Sequence, residues 1–231
     1  NYNESLEFFK QSLKINESSK DPRDKYIAYN YNGLGVTSFY KGDYKSAEKF
    51  YQRSLSIREG LYGENHPEAA FVLSSLGLLY HRSGEYSKAE ELYDRAIAIY
   101  ENNLDENSIQ MAPILSNYSM LYVDMGDYRT AEEMSLRALR INENQLGPLH
   151  TDVAINLNTL GNISSTQEKF TEAEGFYKRA LEINKNARGP NHSEVMINLE
   201  NLAKLYRTIG NLDAARFYGE QAEAIRIKNK S

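Results

Sequence analysis

Residues 67–108 decide the fold, because their pattern returns along the whole chain. They read PEAAFVLSSLGLLYHRSGEYSKAEELYDRAIAIYENNLDENS. Alanine recurs every 42 residues, at Ala47, Ala89, Ala131, Ala173 and Ala215. Isoleucine recurs with the same spacing, at Ile15, Ile57, Ile99, Ile141, Ile183 and Ile225. A fixed period of this length is typical of repeat proteins, which stack one supersecondary unit on the next.

Within each 42-residue unit the apolar residues mark two helices separated by a short turn. The first stripe has the spacing of one helix face and consists of Leu73, Leu76, Gly77 and Tyr80. The second stripe follows the turn and consists of Tyr86, Ala89, Leu92, Tyr93, Ala96, Ile97 and Tyr100. Gly84 between them suits the left-handed backbone that ends a helix. We therefore predict an all-α chain of antiparallel helical hairpins.

The period divides the 231 residues into about five and a half repeats. The predicted boundaries are 1–24 for a half repeat, then 25–66, 67–108, 109–150, 151–192 and 193–231 for a single array. Residues 2–16 align with a second helix alone. The last unit lacks the polar capping helix that terminal repeats need, so we expect the chain to be a piece of a longer protein.

Small residues on the first helices predict close contact with the second helices. They recur in phase, at Gly35, Gly77, Ser119, Gly161 and Ala203. We expect each of them to face the in-phase alanine of its hairpin.

Two residues depart from the repeat at positions that shape the backbone. Glu168 replaces the turn glycine, and a left-handed backbone costs a residue with a Cβ about 1 kcal/mol, so we expect a turn of different shape. Pro113 falls early in a first helix, where proline fits only the first turn. We expect that helix to begin late or to bend.

The repeat residues carry a family resemblance. A large residue, then Leu-Gly, Tyr, Ala and an aromatic residue is the tetratricopeptide pattern, matched here by Leu73, Leu76, Gly77, Tyr80, Ala89 and Tyr93. Ordinary tetratricopeptide repeats have about 34 residues. Units of 42 residues with a Leu-Gly-x-x-His-Pro-x-x-Ala connection resemble those of kinesin light chains and their bacterial relatives. Gly63, His66, Pro67 and Ala70 match that connection, with Tyr62 in the leucine position. The resemblance covers essentially the whole chain and implies a right-handed superhelical solenoid.

Composition excludes several classes of function. The 32 acidic and 27 basic residues give a net charge of −5, the opposite of the basic surface that nucleic acid requires. No window approaches the roughly 18 to 20 apolar residues of a membrane span. The chain has no cysteine, which excludes disulfides and thiolate chemistry. We expect a cytoplasmic protein that binds neither nucleic acid nor membrane.

No motif predicts catalysis, a metal or a cofactor. His66, His150 and His192 share one phase of the repeat, and stacking separates such residues instead of gathering them around one ion. We therefore predict a structural role for them in loops or helix starts. No strand-based phosphate loop, Ser-His-Asp order or isolated carboxylate pair is present, so we predict that this segment is not an enzyme.

By the resemblance, the first helices line a concave binding groove. Residues about 100° around each first helix from its core-facing side should face that groove. The candidate peptide-binding residues are Asn32, Val36, Phe39, Ser74, Leu78, His81, Asn117, Met120, Asn158, Asn162, Asn201, Lys204 and Arg207, with Ser116, Val123, Ser165 and Glu200 on the same face. An alternative interpretation is that the polar members are merely solvated and that Phe39 and Leu78 fill the space between repeats.

The candidate residues change in character along the chain, from apolar and aromatic to amide and basic. Asparagines can pair with the backbone of an extended peptide, and Lys204 and Arg207 can bind a carboxylate. Kinesin-light-chain-like repeats recognise extended peptides that often combine an aromatic anchor with acidic residues, so the resemblance implies such a partner. We predict a non-catalytic protein-interaction scaffold. The alternative is a regulatory arm of a larger signalling protein, fused for example to a caspase-like peptidase or a signalling ATPase.

Overall fold

The computed structural model describes residues 2–18, 25–105 and 107–229, without the side chain of Glu17. These residues form eleven α-helices and no strand, which confirms the predicted all-α repeat solenoid. The chain divides into two compact units, residues 1–110 and 111–231. Unit 1 contains α1 Tyr2–Glu17, α2 Lys25–Tyr40, α3 Tyr44–Tyr62, α4 Pro67–Arg82 and α5 Tyr86–Asn103. Unit 2 contains α6 Met111–Met125, α7 Tyr128–Leu146, α8 Thr151–Thr166, α9 Phe170–Arg188, α10 Ser193–Thr208 and α11 Leu212–Lys228.

The helices pair as the 42-residue period predicts. In unit 1, α2 packs on α3 and α4 on α5, while α1 packs on α2 as a second helix without a first. In unit 2 the hairpins are α6 with α7, α8 with α9, and α10 with α11. Each second helix also packs on the next first helix of its unit, as α3 does on α4 and α9 on α10. Residues far apart in sequence thus meet once per repeat.

At the three glycines among the small residues of the first helices, the nearest side chain is tyrosine and not alanine. A Cβ atom at Gly77 would lie 2.8 Å from the Tyr93 ring, and one at Gly161 would lie 2.5 Å from the Tyr177 ring. The expected neighbour, the in-phase alanine, stands one helical turn before that tyrosine. The prediction of close approach therefore holds, but the expected partner was wrong at these glycines, which make room for a ring. At Ser119 the in-phase alanine is a partner, because the Ser119 hydroxyl donates to the Ala131 carbonyl at 2.8 Å.

The turn at Glu168 keeps the shape of the glycine turns, which corrects the expectation of a different one. Glu168 adopts a φ of 60°. Its N–H donates to the Ser165 carbonyl at 3.2 Å and the Lys169 N–H donates to the Ser164 carbonyl at 2.8 Å. The turn at Gly84 makes the same two bonds. The backbone hydrogen bonds hold the residue left-handed despite its Cβ.

The first helices start as their sequences indicate. His66, His150 and His192 are N-caps, and each Nδ1 accepts a backbone N–H two residues later at 3.2 Å. This confirms their predicted role at helix starts. Helix α6 begins at Met111, two residues later than the period places it, with Pro113 in its first turn, so the predicted late start is also confirmed.

Candidate functional site

In unit 1 the core occupies much of the face predicted to line the groove. Asn32 and His81 are only 9% and 5% exposed, so neither belongs to a surface that a ligand contacts. Val36 and Phe39 are half-buried and pack against the core cluster around Tyr51. A first helix inside a stack packs against helices on both sides. These neighbours bury more of its surface than the angle around a single helix indicates. Ser74 and Leu78 are half-buried.

In unit 2 the predicted residues lie at or near the surface. Asn117, Asn158 and Asn201 are half-buried, whereas Met120, Asn162, Lys204 and Arg207 are exposed. Asn162, Asn201 and Lys204 together line one cavity of about 340 Å³, whose wall also contains Ser165, Thr166, Tyr177 and Leu205. We call Asn158, Asn162, Asn201, Lys204 and Arg207 the polar strip.

Buried hydrogen bonds hold the amide of Asn158 in one orientation. Asn184 Nδ2 on α9 donates to Asn198 Oδ1 on α10 at 2.8 Å. Asn198 Nδ2 in turn donates to Asn158 Oδ1 on α8, also at 2.8 Å. Because its oxygen accepts from the core, Asn158 directs its amide donors away from it. Asn184 and Asn198 are almost fully buried, so this orientation is insulated from water.

The same arrangement occurs one repeat earlier. Asn142 Nδ2 donates to Asn156 Oδ1 at 2.7 Å, and Asn156 Nδ2 donates to Ser116 Oγ at 2.8 Å. We call these two three-residue chains the amide ladders. Each ladder joins three helices, so it ties two neighbouring repeats of unit 2 together.

Asn162 is oriented by a different core residue. The Tyr177 hydroxyl donates to Asn162 Oδ1 at 2.7 Å. Burial raises the pKa of Tyr177 to about 12, so its hydroxyl keeps its proton at neutral pH and remains a donor. The carboxamide oxygen of Asn162 is thereby engaged, and its N–H donors point to solvent. The polar strip presents two oriented amide donors one helical turn apart on α8.

The charged members of the polar strip have no internal counterion. Within the part of the chain that the structure describes, neither Lys204 nor Arg207 forms an ion pair. Glu200, on the same face of α10, instead pairs with Arg226. Two exposed cations therefore remain available beside the oriented amides.

Four exposed apolar residues on the first helices escaped the sequence analysis as a set. They occupy one phase of the repeat and are Tyr29, Phe71, Ile155 and Ile197, each between 41% and 53% exposed. Each lies about one helical turn before the first residue that the sequence analysis assigned to the groove on the same helix. Their signal was available: a large apolar residue stands at this phase in four of the five first helices, and Pro113 stands there in the fifth.

The described residues contain neither a cluster of metal-ligating side chains nor a membrane-spanning helix. They contain no group of three or more His, Asp or Glu side chains placed to hold a metal ion. None of the helices in these residues is long and apolar enough to cross a membrane.

Comparisons with known proteins agree with this architecture. The model of the tetratricopeptide repeat family matches residues 1–59, 26–102, 110–186 and 166–228. BtubC (BKLC) from P. vanneervenii is similar in structure, with a TM-score of 0.86 at 23% identity, over 100% of this chain and 92% of that one. A Podosopora anserina protein named as a kinesin light chain with nearly identical TPR-like repeats has a TM-score of 0.75 at 18% identity, over 91% and 99% of the two chains. None of the curated proteins compared with the sequence matches it.

The structural likenesses, at 23% and 18% identity, show a shared fold. They confirm the predicted kinesin-light-chain-like form of the repeats, and the family matches together span nearly every residue. Repeats of this kind generally act as scaffolds for protein–protein interaction. The chain belongs to the tetratricopeptide repeat family.

Proposed function

We propose that the protein is a non-catalytic scaffold that binds an extended peptide segment along the first helices of unit 2. The observation that carries this proposal is the polar strip, where core residues hold the oxygens of Asn158 and Asn162 inward. Core groups are thus used to orient surface amides, which plain solvation of an exposed helix face does not require.

Peptide binding follows from the chemistry of these groups. The amide donors of Asn158 and Asn162 suit successive backbone carbonyls, which any peptide sequence supplies. Lys204 and Arg207 suit an acidic side chain or a terminal carboxylate of the same ligand. Since the donors are already oriented, binding loses little side-chain entropy at these positions.

Apolar contacts would complete the recognition. Ile155 and Ile197 are 53% and 41% exposed and lie on the same helices as the polar strip. They offer an apolar surface for an aromatic side chain of the ligand. The proposed partner therefore combines an aromatic anchor with acidic residues.

The test is a pull-down from the lysate of the source organism, read by mass spectrometry. We expect a partner that binds the wild type and is lost with the triple variant Asn158→Ala, Asn162→Ala and Lys204→Ala. Because Asn158 accepts a buried hydrogen bond, the triple variant must also be shown to keep its fold by circular dichroism.

A double variant separates binding from stability. Asn201→Ala with Lys204→Ala leaves the amide ladder and the Tyr177 bond intact, so it should reduce binding without lowering the melting temperature. Phe217→Ala, on the exposed side of α11, is the matched control. If both the triple and the double variant retained the partner, recognition would lie elsewhere and the proposal would be contradicted.

A further inference from the structure

Arg58 is a buried arginine in unit 1 whose guanidinium is only partly paired. It lies near the end of α3 and is 2% exposed. Its Nη1 pairs with Glu68 at the start of α4, and its Nε donates to Ser54 Oγ at a long 3.4 Å. Its Nη2 is buried and makes no hydrogen bond within the residues that the structure describes. A buried charged donor without an acceptor is costly.

Two aromatic rings lie over this guanidinium. The Arg58 Cζ is 4.7 Å from the centroid of Tyr29 and 5.7 Å from that of Phe71, which is cation–π geometry. Both rings are 49% exposed. Arg58, Tyr29, Phe71, Tyr100, His66 and Leu104 line one cavity of about 350 Å³, a size that suits a small organic ligand.

The repeat scaffold does not require an arginine here. Asn142 and Asn184 stand at the same phase in unit 2, and each donates to a buried asparagine of the next first helix. In unit 1 the corresponding acceptor position is Val72, which offers no acceptor side chain. The cation therefore lacks the structural partner that its counterparts have.

We propose that this cavity binds a monocarboxylate carried on a flat apolar body, with one carboxylate oxygen accepting from Arg58 Nη2 and the body lying against Tyr29 and Phe71. The proposal goes beyond the peptide-binding function and depends on none of the residues of the polar strip. The carboxylate belongs either to a free organic acid or to a side chain of a peptide.

Charge favours a single negative charge on the ligand. Burial lowers the pKa of the Arg58 guanidinium from its usual value, yet arginine stays protonated at neutral pH. Glu68 neutralises it only in part, since that carboxylate is 35% exposed and screened by water. A second carboxylate can therefore be accommodated, whereas Glu68 would repel a dianion such as a phosphate monoester.

Access to Nη2 depends on the side chain of Tyr29. Its ring covers the guanidinium but is half exposed and stands on the surface of α2. A change of its χ1 rotamer opens the guanidinium without moving the backbone. The ring can then pack against the apolar body of the ligand.

The experiment is a titration of the whole chain, followed by the amide resonances of α2, α3 and α4. The probes are phenylacetate, the neutral phenylacetamide and the dianionic phenyl phosphate. We expect phenylacetate to bind with a Kd of about 1 mM, ordinary for a molecule of its size, and each of the other two to bind at least about tenfold more weakly. A comparison of the affinities of acetyl-Phe-Asp-amide and acetyl-Phe-Asn-amide shows whether the side chain of a peptide can supply the carboxylate.

Variants locate the binding. Arg58→Gln should make phenylacetate and phenylacetamide bind alike, and Phe71→Ser should weaken phenylacetate about fivefold or more. Phe217→Ser, at an exposed aromatic residue of unit 2 that belongs to neither proposed site, is the control and should change nothing. If Arg58→Gln fails to fold, two results still test the proposal: the effect of the surface variant Phe71→Ser, and the comparison of the anionic, neutral and dianionic probes. The proposal is overturned if phenylacetamide binds as well as phenylacetate, or if neither phenylacetate nor the Asp peptide perturbs these helices at about 10 mM.

Discussion

The two units place different chemistry at the same positions of the repeat. In unit 2 the position that joins one repeat to the next holds Asn156 or Asn198, each bonded within an amide ladder. In unit 1 this phase holds Asn30, whose Nδ2 makes no hydrogen bond to a described residue, and Val72. Asn32, the counterpart of Asn158, is buried, and its Oδ1 makes no hydrogen bond to a described residue. Val72 thus cannot give Asn32 the bond by which Asn198 orients Asn158.

The residues that face each other within a hairpin also differ from one hairpin to another. Glycine faces tyrosine at Gly77 and Tyr93 in unit 1. Unit 2 keeps this pair at Gly161 and Tyr177, but at Ser119 and Ser135, one repeat earlier, two hydroxyls face each other 2.6 Å apart. Both members of the pair differ, and the combined side-chain size is smaller for two serines, while the helices stay paired. The repeat therefore tolerates substitution when both partners change together.

The largest expected effect comes from making unit 2 resemble unit 1 at the ladder. Asn156→Val leaves the buried Asn142 Nδ2 without its acceptor and removes the donor to Ser116 Oγ, which keeps its own bond to the Ala112 carbonyl. Because an unsatisfied buried donor costs about 1–3 kcal/mol and a lost hydrogen bond about 0.5–1.5 kcal/mol, we expect the free energy of unfolding to fall by about 2–4 kcal/mol. Urea denaturation measures the loss, and hydrogen exchange should place it in α6 to α8.

Thr159→Val on the same helix is the control for the ladder variant, since Thr159 bonds only to its own helix. Its effect should stay within about 0.5 kcal/mol. If Asn156→Val were no more destabilising than Thr159→Val, the ladder would not hold the repeats together.

A smaller loss is expected from overpacking a hairpin of unit 2. Ala131 is fully buried, and Ala131→Leu adds three carbon atoms to a filled core. We expect a destabilisation of about 1–3 kcal/mol, seen as a lower melting temperature. The control is Arg140→Leu, on the exposed side of α7, which should leave the melting temperature unchanged. If the two variants had the same melting temperature, the claim of tight packing at Ala131 would be refuted.

The smallest effect is a gain at the turn between α8 and α9. Glu168 holds a left-handed φ of 60°, where unit 1 has Gly84. Glu168→Gly should therefore stabilise unit 2 by about 0.5–1 kcal/mol, reduced by the greater freedom of glycine in the unfolded chain. Gly84→Ala should destabilise unit 1 by a similar amount, and thermal unfolding tests both. Equal stability of Glu168→Gly and the wild type would show that the turn carries no strain.

Much of the fold was predictable because helices leave a periodic trace in the sequence. The 42-residue period located the hairpins and the lone helix α1, and Pro113 indicated the late start at Met111. The histidine caps followed from their place before three of the first helices. Local rules succeed here because each of these features depends on residues within one or two turns of the chain.

The candidate site was predictable only in outline. The sequence indicated the face that contains Asn162 and Lys204, but it also included Asn32 and His81, which the structure buries. Asparagines 14 residues apart hinted at the ladders. That spacing is not sufficient, however, because Asn16 and Asn30 share it and Asn30 Nδ2 has no hydrogen-bond partner among the described residues.

The sequence by itself determined the helices, their pairing and the family, because a repeated pattern of apolar residues can be buried in one way only: by stacking. The tertiary structure alone decided which side chains reach solvent, which asparagines are oriented and how Arg58 comes to lie beneath two rings. These depend on residues of different helices that meet only when the helices pack. The size and hydrogen-bonding groups of a partner cannot be inferred from one helix.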